Sequence, residues 1–285
     1  GCDPLLAIQM ATLNAAEYCQ LPDRGAIAPG RRADLVVVDD LRKFTVEQTF
    51  IQGRLVASDG VARFPVTRAA TDQVTSSMFV KDFSAAKLAL KLTGKPVRTI
   101  KVLPGQVAAE EEVVTVKHDA SGNFVYDPSQ DVVKVAVVER HHQTGRVAVG
   151  LLSDYGIKAG AIASSIAHDS HNLIVAGVSD AEMAAATQAL IKQGGGVVLV
   201  KEGQVLARLP LPIGGLMSDR PGEEVVKLQA RLDRAAHEEL GIPEPVDPVM
   251  TLSFMSLAVI PKLKLTDRGL FDVAKMEFVP LEVAD

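Results

Sequence analysis

An α+β fold is what this sequence predicts, with mainly antiparallel sheet and a few flanking helices. Val132–Glu139 and Arg146–Leu152 are β-branched runs on either side of His141-His-Gln-Thr-Gly145, which reads as a β-hairpin with a five-residue loop. Val197–Lys201 and Val205–Leu209 flank Glu202-Gly203 in the same manner. Against these strands stands a helical stripe, Val225, Leu228, Leu232, Ala235, Ala236 and Leu240, within residues 223–240. Hairpins imply antiparallel pairing, and amphipathic helices cover sheet faces.

The elements follow in chain order. Asp3-Pro4 is an N-cap and first-turn pair that opens a largely apolar helix carrying Leu5, Leu6, Ile8, Met10 and Leu13. A helix this apolar has to be covered on most sides, and little of the remaining chain looks built to receive it. Turns at Leu21–Gly25 and Gly25–Gly30 lead to a short buried strand, Leu35–Val38. Val46–Ile51 and Arg54–Ala57 form a hairpin around Gln52-Gly53. This small β unit of about 40 residues is too short to stand alone and should complete another sheet.

Residues 61–95 are weakly patterned and read as a connection. Strands follow at Val97–Val102 and Val113–Lys117, then the long hairpin, then Ala161–Ala167 and Leu173–Val178. Ser179-Asp-Ala-Glu182 is a capping box for a helix bearing Met183, Leu190 and Ile191 that stops at Gly194. Beyond the second hairpin lie a Gly- and Pro-punctuated loop at 210–217 and the striped helix. A partly strand-like apolar run at Thr251–Pro261, a turn at Thr266–Leu270 and a last strand at Met276–Leu281 complete the chain.

Composition excludes several classes. The 285 residues carry a net charge of −5, with 47% hydrophobic and 23% charged residues. No basic patch points to nucleic acid, and no apolar run approaches the roughly 20 residues that span a bilayer. Only Cys2 and Cys19 are present, which fits a reducing cytoplasm and rules out a paired Cys-x-x-Cys zinc site. The chain starts at Gly1 without a Met and enters a helix at once, which reads as a fragment or a processed chain.

The sharpest chemical cluster is His168-Asp169-Ser170-His171-Asn172, between two runs expected to be buried. Imidazoles beside a carboxylate can bind a metal, shuttle protons or hold a ligand. The plainer reading is a hydrogen-bonded turn. Glu139-Arg140-His141-His142 sits at the tip of the long hairpin, a usual place for functional groups, though a solvated turn explains it equally. Gly194-Gly195-Gly196 follows a helix and precedes a strand, so it is a C-cap and not a phosphate cradle. His118 and His237 are isolated, and His237-Glu238-Glu239 lacks the Pro-Cys-x-x-Cys half of a zinc base deaminase signature. There is no P-loop, dinucleotide fingerprint or Gly-x-Ser-x-Gly.

Two stretches carry a resemblance. Asp3–Asn14 and Gly25–Asp39 resemble the last barrel helix of amidohydrolase-superfamily enzymes and the segment that returns to complete a small β-sandwich. Glu139-Arg-His-His, Gly145–Gly150, Gly160–Ser165, His168–Asn172, Gly194-Gly-Gly, Leu209–Asp219 and Leu263–Leu270, in that order, resemble the C-terminal domain of bacterial adenine deaminases. The resemblance implies four parts: a barrel helix remnant at 1–20, a β-sandwich segment at 21–65, a connection at 66–95, and an α+β domain at 96–285. All would lie C-terminal to a (β/α)8 barrel absent from this chain. It implies a parent enzyme of purine salvage or adenine catabolism that hydrolyses adenine to hypoxanthine and ammonia with water activated by binuclear iron or manganese. No His-x-His occurs here, so the resemblance places the metal ligands elsewhere and leaves no catalytic or metal-binding residue expected in this chain.

The expected partners are adenine and the missing barrel portion, with a homo-oligomeric assembly and neither nucleic acid nor membrane. The chain alone is expected to be inactive. His168, Asp169, His171, Asn172, Glu139, His141 and His142 are expected on the substrate side or at an interface with the barrel. A non-catalytic purine- or partner-binding module, or an amidohydrolase acting on another amino-heterocycle, are the alternatives.

Overall fold

In a computed structural model, residues 1–283 are described, and the chain divides into two units, Gly1–Ala70 and Thr71 onward.

The first unit opens with α1 (Pro4–Gln9), which runs through a π turn at Met10–Asn14 into a single turn, α2 (Ala15–Tyr18). The Asp3 carboxylate accepts from the backbone N–H groups of Leu5 and Leu6, so the cap expected from Asp3-Pro4 forms. Four strands, β1 (Leu35–Val38), β2 (Val46–Ile51), β3 (Arg54–Ser58) and β4 (Val61–Ala62), pair antiparallel in sequence order. The β1 strand is not buried as its composition suggests. Val36 and Val37 are 50% and 41% exposed, because so short a stretch of chain cannot cover both faces of a sheet.

The second unit is built on an eight-stranded sheet. Its strands are β5 (Val97–Val102), β6 (Ala109–Val114), β7 (Val132–Val138), β8 (Val147–Ser153), β9 (Ala161–Ser164), β10 (Leu173–Gly177), β11 (Gly196–Lys201) and β12 (Gln204–Pro210). They lie in the order β12-β11-β9-β10-β7-β8-β5-β6, and every neighbouring pair is antiparallel except β5 beside β8. Helix α3 (Asp180–Gln193) joins β10 to β11, and α4 (Gly222–Glu238) and α5 (Pro248–Phe254) follow β12. A three-stranded sheet of β13 (Leu263–Thr266), β14 (Gly269–Asp272) and β15 (Glu277–Phe278) closes the order.

The strand β7 explains the continuous Val run in the sequence, since both faces of the sheet are covered. Val133, Val135 and Val137 join a core with Leu232, Ala236 and Leu240 from α4 and its C-terminal end, Leu252 of α5, and Leu263 and Leu265 of β13. Ala136 and Val138 join a second core with Met183, Ala186 and Leu190 of α3 and with Leu88. Lys134 lies between them in sequence and is buried as well. Its ammonium donates to the Leu88 carbonyl at 3.1 Å and pairs with Asp180 in the first turn of α3, and burial pushes its pKa down to about 8.

Several boundaries differ from the sequence reading for physical reasons. The Thr251–Pro261 run begins in helix α5 and is not strand-like. Asp247-Pro248 repeats the cap-and-first-turn signal of Asp3-Pro4, and the Asp247 carboxylate accepts from Val249 and Met250 N–H. The Ser179 hydroxyl caps α3 by accepting from Glu182 N–H, but the Glu182 carboxylate turns away to Gly203 N–H, so half of the expected capping box forms. Strand β6 lies four residues earlier than its Val-rich stretch at 113–117 suggests, because Glu110, Glu111 and Glu112 pair with Lys101, Ile100 and Thr99 across the ladder. The last strand keeps only Glu277–Phe278.

Truncation of a side chain in the α3 core should cost far more than one on the open face of α4. Leu190→Ala is expected to lower unfolding free energy by about 3 kcal/mol in urea titration. Val226→Ala, at a position 67% exposed, should stay within about 0.5 kcal/mol of the parent chain.

Candidate functional site

The two histidine-bearing stretches come together at one end of the large sheet. Strands β7 and β10 are hydrogen-bonded neighbours with Val138 opposite Leu173. The Glu139–Arg146 loop leaving β7 therefore stands beside the His168–Asn172 turn entering β10. The residue that joins them is Arg140, which is 2% exposed. Its backbone N–H donates to Asn172 Oδ1 at 3.3 Å. Its Nε donates to the His171 carbonyl at 2.5 Å. One terminal nitrogen donates to the Ser77 carbonyl and hydroxyl at 2.9 and 3.1 Å, and the other to the Gly214 carbonyl at 3.0 Å. Every acceptor is neutral, and burial lowers the guanidinium pKa. One planar fork thus ties three segments that are far apart in sequence.

Close approach makes this fork possible. Gly215 has φ +78°, and a Cβ there would lie 3.1 Å from both terminal nitrogens of Arg140 and 2.7 Å from Met78 Cε. The Gly215 carbonyl accepts from the buried Ser165 hydroxyl at 2.5 Å, and Ser165 Oγ accepts from Gly196 N–H at 2.7 Å. The Phe79 N–H donates to the Arg140 carbonyl at 2.9 Å, so the 74–80 segment is held from both sides of that residue.

Glu139 acts on its own loop. Its carboxylate accepts from the N–H groups of His141 (2.5 Å), His142 (2.7 Å) and Thr144 (2.9 Å) and from the Thr144 hydroxyl (2.8 Å). Burial alone would raise its pKa, but these four donors outweigh it and hold the carboxyl down to about 2. Glu139 is therefore a loop organiser with no lone pair directed at a proton-transfer task. Regular pairing ends at Val138 and resumes at Val147, so the loop is longer than the five residues expected, although Glu139 N–H still donates to the Arg146 carbonyl at 3.1 Å.

In the turn, His168 stacks on Phe254 of α5 with centroids 4.6 Å apart at 16°, and its Nδ1 lies 3.1 Å from Ser253 Oγ. The His171 Nδ1 accepts from Ala167 N–H at 3.4 Å, and the two rings stand 5.6 Å apart. Burial, then the charges of His168 and Arg140, lower the His171 pKa. His141 Nε2 faces the Ser170 carbonyl at 2.8 Å, which can only accept, so that nitrogen carries a proton. Asn172 is buried, while Asp169, Ser170, His141 and His142 are exposed. The structure therefore places His171 and Asn172 on Arg140, joins His168 to α5 and His141 to the Ser170 carbonyl, commits Glu139 to its loop, and leaves Asp169 and His142 facing solvent.

Ser77, Ser253 and Phe254 were not among the residues singled out from sequence, and Arg140 was read only as part of the Glu139–His142 hairpin tip. Arg140 carried a signal, since an arginine at the end of a run of buried valines has to find several acceptors. Ser77 and Ser253 carried none, because their places depend on tertiary contacts.

His168 and His171 each place Nδ1 on a neighbour, and the Glu139 carboxylate is taken up by its own loop. Among the described residues no group of three His, Cys, Asp or Glu side chains could hold an ion. No helix among them is long and apolar enough to cross a membrane.

Residues 106–277 match the family model of the adenine deaminase C-terminal domain, and residues 1–56 match the amidohydrolase family. The chain is 56% identical over 283 residues to a protein named adenine deaminase from Ligilactobacillus salivarius. It is 52% identical over 282 residues to adenine deaminase 2 from Desulfotalea psychrophila, and 43% identical over 286 residues to an adenine deaminase from Geobacillus kaustophilus. Each match covers 99% of this chain and 49% of the relative, so the chain spans about half the length of these curated relatives.

Arg140→Ala should lower unfolding free energy by about 3 kcal/mol or more in denaturant titration, since it leaves the carbonyls of Ser77, His171 and Gly214 without their donor. His171 titrates below its ordinary value in the fold, so the unfolded chain binds more protons as pH falls through about 6.5. Its contribution is therefore a loss of stability on the acid side. His171→Asn is expected to flatten the fall in melting temperature between about pH 7 and pH 5.

Proposed function

This chain belongs to the adenine deaminase family, and from that premise we propose that it is the C-terminal portion of an adenine deaminase, which hydrolyses adenine to hypoxanthine and ammonia. The observation that carries this reading is the family match over residues 106–277, which hold the Glu139–Arg146 loop and the His168–Asn172 turn. Metal-activated water, with iron or manganese in a binuclear centre, would supply the hydrolytic chemistry on a barrel portion outside these residues. Within this chain, the donor set described above suits positioning and hydrogen bonding.

The role left to these residues is on the substrate side. The turn is held from below by Arg140, from the flank by His141, and along one ring by Phe254. His168 and His171 keep their Nε2 edges uncommitted, whereas Glu139 and Asn172 are spent on internal bonds. In this reading His168 and His171 meet the substrate or the rim of the barrel portion. Glu139, His141 and Asn172 keep the turn in place, and Asp169 and His142 lie at the interface.

In the full-length protein, His168→Ala and His171→Ala should each lower kcat/KM for adenine by about ten-fold or more, measured by ammonia release. The isolated chain should show no turnover with added manganese or iron. Unchanged kcat/KM in both variants would remove the substrate-side role, and robust turnover by the isolated chain would place the chemistry in these residues.

A further inference from the structure

The hydrogen bonds around the turn assign a proton to each imidazole. A backbone N–H can only donate, so the Ala167 N–H contact at 3.4 Å leaves His171 Nδ1 as an acceptor. Neutral His171 must then carry its proton on Nε2. The opposite holds for His168. The Ser253 hydroxyl has one proton, which it donates to the Met250 carbonyl at 2.8 Å. Its 3.1 Å contact with His168 Nδ1 is left for His168 to donate. Neutral His168 therefore keeps a free lone pair on Nε2.

Among the described residues neither Nε2 has a hydrogen-bond partner, and both rings are only partly buried. The rings are 5.6 Å apart and inclined at 58°. His168 is fixed by stacking on Phe254, and the chain at His171 is fixed by Arg140. The pair thus carries one acceptor and one donor on neighbouring rings, on a turn whose backbone is held at His168 by the Ser253 carbonyl and at His171 by Arg140.

We propose that His168 Nε2 and His171 Nε2–H together recognise the amidine edge of an amino-heterocycle. His171 donates to the ring nitrogen, and His168 accepts from the adjacent exocyclic amino group. This rests on the substrate-side reading above and deepens it by assigning the two hydrogen bonds and their directions. His168 and His171 then determine specificity: a ring without the amino group leaves His168 Nε2 unpaired and is disfavoured. Arg140, Ser253 and Phe254 are positioning residues for the pair. A primary carboxamide presents the same acceptor and donor, so the shared chemistry is a planar acceptor beside an N–H donor.

Long-range proton–nitrogen correlation spectra of the chain labelled with 15N-histidine read the tautomers directly. The expected result at pH above 7 is a bare Nε2 on His168 and a protonated Nε2 on His171. A protonated His168 Nε2 or a bare His171 Nε2 overturns the proposal. The full-length protein is then titrated with adenine, unsubstituted purine and benzamide. Adenine should shift both Nε2 resonances and bind about ten-fold tighter than purine, while benzamide reports whether the edge alone suffices. His168→Phe should abolish the adenine-over-purine preference, and His168→Gln, which restores a carbonyl acceptor, should recover part of it. Loss of packing alone would weaken both ligands equally and leave the ratio intact, which would overturn the proposal. If adenine moves neither resonance while His168→Ala and His171→Ala still lower kcat/KM, the pairing is wrong and the substrate-side reading stands. If the resonances and kcat/KM are both unaffected, the two fall together.

Discussion

A buried guanidinium with no carboxylate partner is the constraint on which this end of the molecule depends. Arg140 cannot give up its proton at any ordinary pH and cannot reach water, so its donors must all be met by protein oxygens. Apart from the Ser77 hydroxyl, the oxygens its side chain meets are backbone carbonyls, and these are positioned by backbone. Meeting the demand of one side chain therefore fixes the backbone of Ser77, His171 and Gly214 at once. A carboxylate partner would have satisfied the charge without specifying any of those segments.

That arrangement explains the division of labour among the polar groups. Glu139, next in the chain, is turned away from Arg140 and holds its own loop through four donors. Ser165 links Gly196 in the sheet to Gly215 in the loop above it. The glycines at 195 and 215 let the two backbones and the guanidinium approach more closely than any side chain would permit. The result is a turn whose internal bonds are complete and whose two imidazole edges remain open. Preorganisation of this kind is what a recognition element needs, since the cost of ordering it is met by folding.

The two units differ in how completely each satisfies itself. In the unit from Thr71 onward, strands and helices cover both faces of the large sheet, and the buried Lys134, Glu139 and Arg140 have partners. In the first unit the helical run and the centre of β1 keep apolar side chains exposed, including Leu5, Met10, Val36 and Val37. Matches to the adenine deaminase C-terminal domain and to the amidohydrolase family fall on different stretches, in keeping with this division.

Much of the fold was legible in the sequence because it rests on local rules. Runs of β-branched residues, Glu202-Gly203 and Gln52-Gly53 turns, the Asp3 and Ser179 caps and the αL glycine at 194 each act within a few residues. Helix α5 was legible by the same rule, through Asp247-Pro248, although its apolar run suggested strand. The shift of β6 to the acidic residues was not, because cross-strand pairing with Arg98 and Lys101 decided it. At the site, the sequence by itself marked His168, Asp169, His171 and Asn172 between buried runs, and Glu139, His141 and His142 at a hairpin tip. Only the tertiary structure decided which of them are spent and which are free. The order of strands places the β7 loop beside the β10 turn, and that adjacency lets Arg140 reach three distant carbonyls. It also lets Ser253, 85 residues beyond His168, set the direction of its hydrogen bond. Such contacts depend on long-range geometry, which no local pattern encodes.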